Sequence, residues 1–277
     1  MVPVFFSFGN LQIFTQGVFI VLGLLWGFFF VWQLIALTSY SEEKVFDLVF
    51  LSIFSGLFWG RVFYFIFSQE AVFDLLRFIL INGYPGFSFY GALFGGILTA
   101  YVYCVVKGFN FFEVLDYLSV GFLTAIGFLI WGRGLSGELD LSGFDKVVSD
   151  SFYAVVNNLI PLYVLLGVSA FVFAFVSYKI LMSIRKEVFP VGMAFIFSLW
   201  SVSLINYFIS FFDNSSLYLG KDLKFNQIIS LFLVLTTSII FGYYFRSKIF
   251  EVLSFIFDYA KNKFQSSRTG ENKEETA

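Results

Sequence analysis

Val120-Gly121-Phe122-Leu123-Thr124-Ala125-Ile126-Gly127-Phe128-Leu129-Ile130-Trp131 carries no charge, and Gly132-Arg133-Gly134-Leu135-Ser136-Gly137-Glu138-Leu139-Asp140-Leu141-Ser142-Gly143 follows it without a break. The first run is apolar enough to lie within a membrane. The second brings an arginine, two acidic residues and four glycines. A chain this oily has little reason to place such a segment at the end of a membrane helix unless something polar is handled there. The remaining sequence reads as a membrane scaffold around it.

The composition supports that reading. Of 277 residues, 59% are hydrophobic, 13% are charged and 44 are phenylalanine. Globular domains carry roughly 25% charged residues, so this is the composition of an integral membrane protein. The formal net charge is -2, without a basic stripe outside the C-terminal tail, which gives no sign of nucleic-acid binding. The chain has no histidine, so no imidazole serves as general base, proton shuttle or metal ligand. Its one cysteine, Cys104, excludes an intrachain disulfide and a cysteine-rich metal site. In its apolar run Cys104 reads as a small buried residue. No metal or organic cofactor is indicated.

Segments of about 20 apolar residues cross a bilayer. Seven are expected, over residues 12–38, 45–67, 88–106, 113–131, 157–182, 189–212 and 226–246. The expected fold is an all-α integral membrane protein of about seven transmembrane helices. One membrane domain covers residues 1–246, and a tail covers 247–277, amphipathic at first and then charged and disordered. The stretch Met1–Asn10 lacks a basic region and Leu11–Leu37 is longer than a signal-peptide core, so the first apolar segment is expected to remain as a span.

Orientation follows from the lysines and arginines of the connections. With seven spans, eleven of them fall on one side, including Lys44, Lys107, Arg185, Lys186 and the tail, and five on the other. The C-terminus is therefore expected in the cytoplasm and the N-terminus outside. Loops 68–87, 132–156 and 213–225 then face out.

Three groups of residues ask for more than a scaffold role. Arg61 lies inside the second span, where an unpaired charge costs several kcal/mol. It either snorkels to the headgroups or faces a cavity. Gly91, Gly95 and Gly96 follow Tyr90 and admit a helix or a lipid chain close to the backbone. Arg133 and Glu138 pair with each other, or the guanidinium forks onto a phosphate or carboxylate. Arg61, Tyr90, Arg133 and Glu138 map to the outer face, which suits an anionic lipid headgroup.

The arrangement resembles the prolipoprotein diacylglyceryl transferase family of seven-span bacterial membrane enzymes. Gly60-Arg61-Val62-Phe63-Tyr64 is similar to that family's G-R-x-x-Y at the end of span two. Ser88-Phe89-Tyr90-Gly91-Ala92-Leu93 resembles its S-F-H-G-G-L entering span three, with Tyr90 at the histidine position. Gly132-Arg133 through Glu138 looks like a shortened form of its G-R-x-x-N-F-x-N-x-E signature. Leu223 to Ser230 is similar to the start of its last span, where Gln227 falls. In span six Asn206 and Ser210 stand where the family has arginine and glutamate. Thr15 or Gln16 stands at its tyrosine near the start of span one.

The resemblance implies a transferase of the bacterial inner membrane that moves diacylglycerol from phosphatidylglycerol to a lipoprotein precursor's cysteine thiol. It implies catalytic roles for Arg133, Glu138 and Tyr90, and substrate contacts for Arg61, Gly91, Gly132, Asn206, Ser210 and Gln227. The implied proton acceptor stays open among Glu138, Asp140 and a thiol that ionises beside the arginines. A tyrosine of pKa near 10 is a poor base at neutral pH. The second reading is a catalytically silent relative that binds anionic lipid or a lipoprotein precursor.

Overall fold

The computed structural model describes residues 4–8, 11–67, 86–137, 162–212, 218–219 and 223–246. Seven helices in it are long and apolar enough to cross a membrane: α1 (Thr15–Ile35), α2 (Glu42–Phe67), α3 (Phe89–Lys107), α4 (Phe111–Ser136), α5 (Leu162–Ile184), α6 (Met193–Phe212) and α7 (Phe225–Arg246). Before α1 stand two antiparallel strands, β1 (Val4–Phe8) and β2 (Leu11–Phe14). A second pair, β3 (Tyr218–Leu219) and β4 (Leu223–Lys224), precedes α7. The chain divides into two units, Met1–Val234 and Leu235–Ala277. The expected tail, 247–277, lies outside the described residues.

Every expected span is present, with ends shifted by a few residues. The largest correction is at α4. Residues 132–136 read as loop, yet the helix continues through Gly132-Arg133-Gly134 and stops at Gly137, whose φ of 85° places it in the left-handed region. There the Gly137 N–H reaches the carbonyls of Arg133 and Gly134. The strands were unforeseen as well. Phe8 and Leu11 pair directly across these two strands.

Small residues set the packing. Gly23 and Gly27 of α1 face α4 so closely that a Cβ on either would lie 3.0 Å from a backbone oxygen, of Ala125 and Gly121 respectively. Without a hydrophobic drive between helices in lipid, such backbone approach is the main source of contact. Gly56 of α2 meets the Ala92 carbonyl of α3 in the same way. The two pairs, α1 with α4 and α2 with α3, run antiparallel, and α1 barely touches α2.

At the end opposite the arginines, a core of Val31, Ile35, Val45, Leu48, Val114, Leu115 and the buried Cys104 joins these pairs. Here Tyr40, in the turn between α1 and α2, donates to Glu113 at 2.7 Å. Burial and then Glu113 push its phenol up to about 12. A group whose pKa is raised in the folded state contributes fully below its unfolded value, about 10, and loses that contribution as pH rises to the folded value. Tyr40→Phe should therefore flatten the alkaline decline of the unfolding temperature between pH ~10 and ~12, measured by thermal scans in detergent. An unchanged decline would assign it to another group.

Candidate functional site

Between the two helix pairs runs an apolar crevice of about 370 Å³. Its walls follow helix stripes. On α2, Val49, Ile53 and Leu57 line it at four-residue spacing, and Arg61 is the next position. On α4, Gly121, Ala125 and Leu129 line it at the same spacing, and Arg133 is next. Residues four apart share a helix face, so both stripes lead from the crevice to an arginine. The rim is open to the side toward the arginine end: Leu24 and Leu57 line it and are 38% and 48% exposed.

Arg61 is 3% exposed, so it does not snorkel. Its Nη1 donates to the Gly86 carbonyl at 2.5 Å, and its guanidinium sits 5.4 Å from the centre of the Phe65 ring. The segment entering α3 is brought to it by the Ser88 N–H, which donates to the Gly60 carbonyl at 3.0 Å. Ser88 itself caps α3, its hydroxyl accepting from the Gly91 N–H. Phe87, next to Gly86, lines the crevice.

Arg133 is half-buried in the last turn of α4. The glycines beside it have separate packing tasks. A Cβ on Gly132 would sit 2.7 Å from Cβ of Phe19 on α1, close to Gln16. One on Gly134 would overlap Tyr163 of α5. The Gly-Arg-Gly sequence thus lets α1 and α5 close on α4 around the arginine.

Tyr90 is 5% exposed in the first turn of α3. Its hydroxyl meets Ser230 Oγ at 2.5 Å, and the Ser230 hydroxyl donates to the Asn226 carbonyl at 2.6 Å. Ser230 has one proton and spends it on Asn226, so Tyr90 is the donor in their pair. The phenol oxygen keeps its acceptor capacity. Ser203 of α6, wholly buried, lies near that oxygen outside hydrogen-bond geometry. The chain of hydroxyls ends on a carbonyl, which cannot take up a proton.

The other expected contacts fall into two groups. Gly91 is a packing glycine: a Cβ there would collide with Phe63 and the Trp59 carbonyl of α2. Asn206 donates to the Val202 carbonyl and Ser210 to the Tyr207 carbonyl, each within α6. The Ser210 carbonyl accepts from Lys224 Nζ at 2.8 Å. Gln227 lies half-buried in the first turn of α7. Glu138 and Asp140 lie outside the described residues. The structure thus carries the crevice stripes to Arg61 and Arg133, and it gathers Tyr90 with α6 and α7 around Ser203 and Ser230.

Sequence reasoning passed over Asp116, a carboxylate inside α4 that is 1% exposed. Its two oxygens accept from the Gly192 and Phe195 N–H groups at 2.6 and 2.8 Å. It caps α6 from a neighbouring helix, where the helix dipole favours negative charge. The rule that singled out Arg61, an ionisable residue within a span, applies to it equally.

Two arginines one helical turn beyond the stripes of an apolar slot suit an amphiphile with an anionic head. Comparisons with known proteins agree with this chemistry. Residues 3–243 match the family model described as prolipoprotein diacylglyceryl transferase. The chain is similar to the Staphylococcus aureus (strain Newman) protein named phosphatidylglycerol–prolipoprotein diacylglyceryl transferase, 23% identical over 239 residues, covering 84% of this chain and 85% of that protein. The strain MSSA476 protein of the same name is 24% identical over 241 residues, with the same coverage.

Proposed function

Because the chain belongs to the prolipoprotein diacylglyceryl transferase family, we propose that it moves a diacylglyceryl group from phosphatidylglycerol to the cysteine thiol of a lipoprotein precursor. It is a multi-pass protein of the bacterial inner membrane. The observation that carries the proposal is the pair of crevice stripes that lead to Arg61 and Arg133. The phospholipid lays a chain along the crevice and presents its phosphate to the guanidinium groups.

The thiol sulfur forms a bond to the glycerol carbon, and that carbon's bond to the phosphate oxygen breaks. The electron pair stays on the departing glycerol phosphate, where fixed cations stabilise it as charge develops. Arginine suits this role because it keeps its charge and offers two parallel donors. The thiol proton passes to Glu138 or Asp140, or to water as the thiol ionises beside the arginines. Tyr90 donates to Ser230 and accepts from the substrate, so it orients rather than deprotonates. Charge distribution among the loops supports placing this site on the outer face.

The test is complementation in bacteria depleted of their own diacylglyceryl transferase, followed by lipidation of a reporter lipoprotein. Restored lipidation is the expected result. Correctly inserted protein that binds phosphatidylglycerol without lipidating any precursor would replace the enzyme with the silent-relative reading. Tyr90→Phe should slow transfer by only about tenfold, below the loss expected of an essential acid–base residue. A loss near a thousandfold in purified protein would make the phenol a proton carrier.

A further inference from the structure

The crevice has a floor. Along α3 it runs from Phe89 to Ala100, about 16 Å at ~1.5 Å per residue. That is roughly half of a ~30 Å hydrocarbon core, the depth of one leaflet. At its lower end Val31, Ala100 and Leu115 are 5%, 2% and 6% exposed and belong to the core that joins the helix pairs. The walls above are apolar apart from a few serines, of which Ser52 has a buried hydroxyl without a partner among the described residues. Cations beyond one end, a leaflet's depth of apolar wall and a closed base fit one hydrocarbon chain of fixed length.

We infer that the crevice gauges one acyl chain of the phospholipid, with Gly96 and Ala100 setting the depth it reaches. This rests on the lipid donor proposed above and names its specificity determinant. Lipid tails solvate a methylene as well as a protein wall does. Selection must therefore come from steric exclusion at the base, not from transfer out of water.

Gly96 is the position at which to test it. A Cβ there meets only the Ser52 carbonyl oxygen, at 3.5 Å, an ordinary contact. A side chain grown from it enters the crevice at about 10 Å below Phe89, without forcing α2 from α3. The experiment uses the full chain in phosphatidylcholine nanodiscs doped with dioctanoyl-, dilauroyl- or dipalmitoyl-phosphatidylglycerol. Lipid retention is read by native mass spectrometry, and transfer by the mass of a precursor peptide.

Gly96→Leu should lower dipalmitoyl lipid against dioctanoyl by about tenfold, a difference of ~1.4 kcal/mol. Ala100→Val, lower in the slot, should discriminate only against the longest chain. Undiminished dioctanoyl handling shows that each variant is folded. Equal losses at all lengths, or no change at any, would overturn the gauge. If the unaltered protein retains no phosphatidylglycerol of any length, the donor assignment itself fails, and the gauge falls with it.

Discussion

Arg133→Ala should lower diacylglyceryl transfer between a hundredfold and a thousandfold, the usual loss when one donor to a developing negative charge is removed. The fold should tolerate it. Arg133 is half-buried at a helix end, and that end is fixed by Gly137 and by the packing of Gly132 and Gly134 against α1 and α5. Arg133→Lys keeps the charge but loses the two-pronged geometry, so it should recover only part of the rate. Steady-state transfer and thermal unfolding on the same samples separate the two effects. Phosphatidylglycerol binding and transfer that both survive in Arg133→Ala would remove the arginine from the site. Arg61→Ala makes a poorer test, since Arg61 also holds the Gly86 carbonyl from a buried position.

The largest effect on stability is expected at Asp116. Asp116→Ala leaves the Gly192 and Phe195 N–H groups without their acceptor in a buried site. An unmade buried hydrogen bond costs roughly 1–3 kcal/mol, so the loss of two is on the order of 2–6 kcal/mol. Asp116→Asn retains one acceptor oxygen and should lie between the two. Thermal unfolding in detergent would measure it, with hydrogen exchange at Gly192 and Phe195 reporting the cap directly. Unaltered protection of those amides in Asp116→Ala would mean that another group caps α6.

The seven spans were legible because a bilayer demands long apolar runs, and these runs are bounded by charge at Ser41–Lys44, Lys107 and Arg185–Glu187. What misled at α4 was glycine. Glycine and arginine together read as loop, yet here the glycines are surfaces on which Phe19 and Tyr163 rest. Composition cannot distinguish the two uses, since each needs only a missing side chain. Gly91, Gly95 and Gly96 show the same limit. Their sequence context is shared, yet Gly91 and Gly95 take Phe63 and Trp59 of α2, while Gly96 faces the crevice.

Arg61 was legible as a residue needing a partner from the cost of burying charge, and Arg133 from the polar segment that breaks off an uncharged apolar run. Their place at the ends of two stripes was not, because it depends on which faces of α2 and α4 look toward each other. That Tyr90 donates rather than accepts at Ser230 also needed atoms, since the direction is decided by the Asn226 carbonyl one turn away from Ser230.

Leu24 and Leu57 leave the upper part of the crevice open to the side, and this has a practical meaning for biochemistry on the purified protein. A slot entered from the bilayer senses mole fraction within the membrane, not concentration in buffer. Alkyl detergents are then not inert solvents here; each tail is a rival occupant present in vast excess. Apparent affinities for phosphatidylglycerol should weaken as the detergent-to-lipid ratio rises at constant total lipid, and weaken least for bulky sterol-based detergents whose ring systems cannot thread a channel one chain wide.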